Sequence, residues 1–166
     1  MSVWDSLFVR QSQRGFTLIE LVVTVAIVAI LGTIAVPMVE LTVQRSKEQD
    51  LRRALRQIRE AIDAYKEAVV DGRIIKSVDE TSYPKSLEEL VEGVENAKDP
   101  EKSKIYFLRK LPRDPMASDI NATAAATWGK RSYASPPDNP EEGDNVFDIH
   151  SLSTKTGLDG IAYREW

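Results

Sequence analysis

The chain has 166 residues, and its 22 basic and 26 acidic side chains give a formal net charge of −4. The signs are mixed and no basic patch forms apart from a run along one predicted helix, which argues against nucleic-acid binding. Cysteine is absent, so disulfides, a thiol nucleophile and thiolate metal sites are excluded. Outside one apolar segment, the remaining length supports one small folded domain.

That apolar segment is the strongest feature of the sequence. No charged side chain occurs between Leu21 and Val39. At 1.5 Å per residue this stretch spans about 28 Å, close to the hydrocarbon thickness of a bilayer. We therefore predict one transmembrane helix. The alternative is a buried helix of a soluble protein, but such helices seldom stay apolar on every face. Basic residues on both flanks leave the orientation open.

Glu20 lies at the start of the apolar segment. An ionised carboxylate near the centre of a membrane is unfavourable by about 2.5–3.5 kcal/mol. Glu20 is therefore either a boundary residue that reaches the headgroups or a carboxylate that pairs with a cationic partner. A short polar leader, residues 1–15, precedes the segment. Cleavage after Gly15 would keep the apolar helix in the mature protein, unlike cleavage of an ordinary secretory signal.

Residues 14–20, RGFTLIE, resemble the signal of type IV pilins and pseudopilins. The resemblance implies that a prepilin peptidase cleaves between Gly15 and Phe16 and that Phe16 is then methylated on its new amino group. It also implies that Glu20 pairs with the N-terminal ammonium of a neighbouring subunit, which offsets the desolvation of both charges. Since this peptidase acts on the cytoplasmic face of the inner membrane, the C-terminal part would be periplasmic.

Two residues interrupt the apolar helix, Gly32 and Pro37. Proline removes one helical hydrogen bond and clashes with the preceding turn. Pro37 is either a tolerated membrane proline or an assembly device that lets the helix kink or melt in a filament. Both interpretations stay open.

Beyond the membrane segment, the helix is predicted to continue in amphipathic form over residues 41–70 and to end at Asp71-Gly72. Apolar residues recur there at spacings of four and three: Leu51, Leu55, Ile58, Ile62, Tyr65 and Val69. A coiled coil would use the same spacing, but fewer than three full heptads are present. We therefore expect this stripe to pack on the C-terminal domain.

The rest of the chain is predicted to be a mixture of short elements. Residues 73–82 and 117–126 are expected to form loops. Two short helices are expected, one opened by the capping box Ser86–Glu89 and ending near Val94, and one from Asp99-Pro100 to Leu108. Three strands, residues 128–134, 145–152 and 160–166, would form an antiparallel meander. The predicted fold is α+β, with a long N-terminal helix packed on a small antiparallel sheet.

Later motifs narrow the resemblance to the major pseudopilins of type II secretion systems: residues 61–65, 83–90, 106–115 and 147–152. It implies a cleaved leader (1–15), a filament-core helix (16–40) and a periplasmic globular domain (41–166). It also implies a structural pseudopilus subunit whose partners are copies of itself, minor pseudopilins, the prepilin peptidase and the inner-membrane assembly platform. The rivals are a type IV pilin for adhesion or motility and a membrane-tethered periplasmic enzyme or binding domain.

The family resemblance also raises calcium, which such proteins hold with two acidic residues in their closing loop. Here residues 153–160 keep Asp159, but Lys155 stands where another acid is expected. One carboxylate with backbone carbonyls supplies few ligands for an ion that takes six to eight oxygens. Calcium at Asp159 therefore stays an open expectation, and no other cofactor is predicted.

No catalytic motif is recognisable. The one histidine, His150, follows Asp148 on the same face of a predicted strand, which is more typical of a polar pair than of a catalytic dyad. Phosphate-binding loops, paired-histidine motifs and nucleophile elbows are missing from the sequence. We therefore expect that the protein is not an enzyme.

Overall fold

The computed structural model describes residues 15–77 and 80–166, and it gives no side-chain description for residues 34–37. Most of the predicted leader therefore lies outside the described residues. The chain divides into two compact units, Met1–Thr42 and Val43–Trp166.

One helix, α1, runs from Leu18 to Val70 and confirms the predicted long N-terminal helix. Thr17 caps it, since its Oγ1 accepts a hydrogen bond from the backbone N–H of Glu20 at 3.3 Å. The helix ends before Gly72, whose φ of 69° is a conformation that glycine adopts without strain. The helical backbone continues through Pro37, but its side chain lies outside the described residues, so its role stays a prediction.

The core of the C-terminal unit forms on the predicted stripe of α1. Leu51 and Ile58 are fully buried, and Val69 is half-buried at the end of the stripe. The core residues contributed by the rest of the unit include Ile74, Leu87, Leu90, Trp128, Val146, Ile149 and Tyr163. The packing of the stripe on this domain is thus confirmed, and burial of its apolar area is the main source of the unit's stability.

Short elements cover the stripe. Their bounds are Glu89–Glu92 for helix α2, Val94–Glu95 for β1, Lys104–Ile105 for β2, Trp128–Arg131 for β3 and Asp148–Ser151 for β4. Strands β1 and β2 pair antiparallel, and so do β3 and β4. Two 3-10 turns, Ala125–Thr127 and Tyr163–Glu165, complete the described elements. The predicted α+β class is confirmed.

The predicted helix from Asp99 to Leu108 is wrong. The Asp99 carboxylate instead accepts the backbone N–H groups of Glu101 at 3.0 Å and Ser103 at 3.3 Å. Such local side-chain bonds compete with helical ones and favour a turn. Lys102 then adopts a φ of 51°, and the chain continues into β2.

The helix predicted from Ser86 is shorter than expected. It covers only Glu89–Glu92, and Glu88 makes no side-chain capping bond at its start. Gly93, with a φ of 76°, ends the helix and turns the chain into β1, so Val94 is in a strand. Two turns, closed by hydrogen bonds from the Asp99 N–H to the Asn96 carbonyl and from the Lys102 N–H to the Asp99 carbonyl, then connect β1 to β2.

The third strand predicted for residues 160–166 is also wrong. Gly160 has a φ of 84°, and a 3-10 turn follows it. The backbone groups find partners outside a sheet: the Tyr163 N–H donates to the Lys155 carbonyl at 3.1 Å, and the Trp166 carbonyl accepts from Arg59 at 2.9 Å. With those groups satisfied, the segment does not extend the β3–β4 pair.

Candidate functional site

The described part of α1 in the first unit exposes its apolar side chains. Leu18 is 81% exposed and Val28 is 67% exposed. The hydroxyl of Thr24 donates to the Leu21 carbonyl at 2.8 Å, and that of Thr33 donates to a carbonyl one turn earlier at 2.7 Å. Hydroxyls satisfied by their own helix suit an apolar environment, where an unpaired polar group costs several kcal/mol. By length and composition this helix can cross a membrane.

The residues of the predicted processing signal lie at the beginning of this surface. Phe16 is exposed directly before α1, and Glu20 is exposed in the first turn of the helix. A carboxylate in the first turn is favoured by the helix dipole. The sequence reasoning missed Thr17 as the cap, although the spacing from Thr17 to Glu20 is that of a capping box. The arrangement presents one carboxylate beside a continuous exposed apolar surface.

His150 and Asp148 lie on β4 beside a cleft of about 780 Å³, but they do not form a dyad. The Asp148 carboxylate binds Arg59 at 2.8 Å and Arg131 at 3.6 Å. Burial lowers the pKa of His150, while Asp148 raises it and nearby arginines lower it further. The His150 ring covers Gly129, where a Cβ atom would lie 2.2 Å from Nε2. These contacts make His150 a packing residue of the β3–β4 pair.

Asp159 is the predicted calcium ligand, and its carboxylate is engaged by protein groups. Its Oδ2 accepts from the Arg52 guanidinium at 2.8 Å, and its Oδ1 accepts from the Ile161 N–H at 3.0 Å. The nearby Gly157 carbonyl accepts from the Gly160 N–H at 3.0 Å. Across residues 15–77 and 80–166, no three His, Cys, Asp or Glu side chains converge on a position for a metal. A single carboxylate held by a guanidinium does not fit a calcium ion.

Comparisons with known proteins agree with the predicted pilin-like N-terminus. Residues 10–36 match the family described as the prokaryotic N-terminal methylation motif. The chain is 27% identical to the type II secretion system core protein G of Klebsiella michiganensis over 151 residues, which are 88% of this chain and 99% of that protein. It is 33% identical to core protein G of Pseudomonas aeruginosa over 146 residues, 84% of this chain and 95% of that protein.

A shorter similarity connects the chain to the type IV major fimbrial protein FimA of Dichelobacter nodosus, with 39% identity over 64 residues, or 39% of each chain. No solved structure matches the chain.

An N-terminal methylation motif at the start of a long, exposed apolar helix, followed by a small α+β unit, defines a pilin-like protein. The similarity to core protein G extends over nearly the whole of both chains, whereas the similarity to the fimbrial protein covers a minor part of each. The chain therefore belongs to the core protein G family of type II secretion systems, the major pseudopilins. The resemblance stated from residues 14–20 and from the later motifs is confirmed.

Proposed function

We propose that this chain is the structural subunit of a type II secretion pseudopilus and works by assembly. The observation that carries the proposal is the exposed apolar surface of α1 with Glu20 in its first turn. Soluble proteins rarely expose so large an apolar surface without a partner. In the membrane lipid covers this surface, and in a filament the same surface packs against the helices of other subunits.

The proposed sequence of events begins with cleavage between Gly15 and Phe16 by a prepilin peptidase, followed by methylation of the new terminus. The ammonium of Phe16 in one subunit then pairs with the Glu20 carboxylate of a neighbouring subunit. Two opposite charges in an apolar helix bundle are tolerated only as a pair. Glu20 would thus set the register of each added subunit. Growth of the filament drives export of proteins across the outer membrane.

The proposed location is the inner membrane, with Val43–Trp166 in the periplasm. The partners we propose are further copies of the chain, minor pseudopilins, the prepilin peptidase and the inner-membrane assembly platform. The membership in the core protein G family supports all four. We propose no catalytic role, because the Asp148 carboxylate is occupied by arginines and His150 covers Gly129.

A type IV pilin for adhesion or motility is the second candidate, and the short similarity to a fimbrial protein is the observation that favours it. Both candidates share the processing and the helix packing. They differ in the readout: a pseudopilus subunit is needed for secretion of proteins to the medium, whereas a pilin is needed for surface fibres.

The first test is the intact mass of the protein purified from its native membrane. We expect the loss of residues 1–15 and the addition of one methyl group. A full-length, unmethylated chain would instead favour a membrane-tethered periplasmic domain.

The second test replaces Glu20. We expect Glu20→Ala to be cleaved normally and to abolish filaments and secretion, because the ammonium of the neighbouring subunit then lacks its partner. Glu40→Ala is the matched control, since it removes another exposed carboxylate of α1 and should leave assembly intact. Normal filaments from Glu20→Ala would contradict the pairing of charges.

A further inference from the structure

The segment from Ser153 to Tyr163, here called the C-terminal loop, is fixed to α1 by two charged side chains. Glu48 and Arg52 are four residues apart, so they lie on the same face of the helix. Their partners are more than 100 residues away along the chain. These contacts lie in Val43–Trp166 and involve no group from the first unit.

Glu48 is 9% exposed, which is unusual for a carboxylate. Its Oε1 accepts hydrogen bonds from the Leu158 N–H at 2.8 Å, the Tyr163 hydroxyl at 2.9 Å and the Gln44 amide at 3.2 Å. Burial raises the pKa of Tyr163, so its hydroxyl stays protonated and remains a donor. Because three donors converge on Oε1, this oxygen of the buried carboxylate is satisfied without a cation.

Arg52 supplies the second contact. Its guanidinium lies 2.8 Å from the Asp159 carboxylate and 4.2 Å from the centre of the Trp166 ring. A guanidinium held by a carboxylate on one side and an aromatic face on another is well positioned. A divalent cation bound to Asp159 Oδ2 would therefore lie close to the Arg52 guanidinium. The two positive charges would repel each other.

We propose that this chain closes its C-terminal loop without calcium, through a loop latch in which Glu48 binds the loop backbone and Arg52 takes the place of the metal on Asp159. The loop latch consists of Glu48, Arg52, Asp159 and Tyr163. It differs from what the family resemblance implies for calcium. We expect Glu48 to contribute more to the stability of the folded unit than Arg52 does. The hydrogen bonds to its buried carboxylate are stronger than an exposed ion pair such as Arg52–Asp159.

The first experiment compares calcium with a chelator. The full chain is purified in detergent micelles with EGTA throughout, and unfolding of the C-terminal unit is followed by the fluorescence of its tryptophans, of which Trp128 is buried. We expect millimolar calcium to change the melting temperature by less than about 1 °C, because only a ligand that binds the folded state stabilises it. Calorimetric titration with calcium should show no binding. A rise of several degrees, or stoichiometric binding, would overturn the proposal.

The second experiment removes the loop latch one contact at a time. Glu48→Ala leaves the Leu158 N–H and the Tyr163 hydroxyl without their acceptor, and we expect the melting temperature to fall by about 5–10 °C. Glu60→Ala removes an exposed carboxylate of the same helix and serves as the control. Equal melting temperatures for the two variants would contradict the role of Glu48.

For the ion pair, Arg52→Gln is compared with Arg53→Gln, whose side chain binds only its helix neighbour Asp50 among the described salt bridges. We expect Arg52→Gln to lower the melting temperature by about 2–3 °C more than Arg53→Gln does, equally in calcium and in EGTA. An equal rise of several degrees in calcium for Arg52→Gln and Arg53→Gln would mean that the loop holds the metal whether or not Arg52 is present, and it would overturn the proposal. All these measurements report folding in micelles, so they are independent of whether the chain serves secretion.

Discussion

The two units of this protein use the same kinds of side chain in opposite ways. Ile27, in the first unit, is 52% exposed on α1, whereas Ile58, in the second unit, is fully buried on the same helix. The apolar residues of the first unit are continuous around the helix, and those of the second are confined to a stripe. Apolar character alone therefore does not determine the role of a residue in a helix. In one unit it stabilises the fold of the chain, and in the other it is available to lipid or to other subunits.

The largest effect that separates the two units is expected from a core truncation. Ile58→Ala removes a fully buried side chain and leaves a cavity, and we expect it to lower the free energy of unfolding of the C-terminal unit by about 2–5 kcal/mol. Ile27→Ala is the matched variant and should change that free energy by less than about 0.5 kcal/mol. Chemical denaturation in micelles, followed by tryptophan fluorescence, measures both. An equal loss in the two variants would remove the distinction between the units.

A smaller effect is expected where β3 passes beneath His150. A Cβ atom at Gly129 would lie 2.2 Å from the His150 ring, so Gly129→Ala must push that ring aside. We expect a loss of about 1–3 kcal/mol in the free energy of unfolding. The double variant Gly129→Ala/His150→Ala makes room for the methyl group, so its loss should be smaller than the sum of the two single losses. Strict additivity would mean that the ring does not constrain Gly129.

The helix was predictable because its signals are local and repeated. The apolar segment and the stripe from Leu51 to Val69 each extend over several turns, and Gly72 supplies a clear end. The short elements were harder, because single side chains decide them. Asp99 has the sequence of a helix cap but turns the chain by bonding to the backbone of Ser103. Propensity cannot tell these two uses of an aspartate apart.

The candidate sites also differ in whether their sequence signals are local. Glu20 was predicted to be an assembly residue from its neighbours in sequence, since the motif around it is contiguous, and this role stays a prediction. Asp159 was identified only as an isolated acid. Its partner Arg52 lies on α1, 107 residues away. Nothing in the sequence distinguished Glu48, which is buried, from the exposed charged residues of the same amphipathic helix. Contacts across such separations depend on how the loop folds back, and the spacing of residues in one sequence does not encode that directly.

The smallest expected effect is a dependence of stability on pH that belongs to the C-terminal unit alone. Burial lowers the pKa of His150 in the folded state from its ordinary value of 6.5. The unfolded chain therefore binds the proton more readily, so the contribution of His150 to stability is complete above about pH 6.5 and is lost as the pH falls toward the lowered folded-state value. The flanking Arg59, Arg131 and Arg164 act in the same direction, and Asp148 opposes them.

We therefore expect the free energy of unfolding to fall as the pH is lowered from about 7.5 to 5.5. This fall should be smaller than the loss caused by Gly129→Ala. His150→Gln should remove most of this fall, because no other histidine is present in the sequence. Gly129→Ala should also weaken it, because a displaced ring reaches water and regains an ordinary pKa. If the free energy of unfolding changed with pH in both variants as it does in the unmodified chain, carboxylates rather than His150 would cause the pH dependence. The region around β3 and β4 would then be less tightly packed than the Gly129–His150 contact requires.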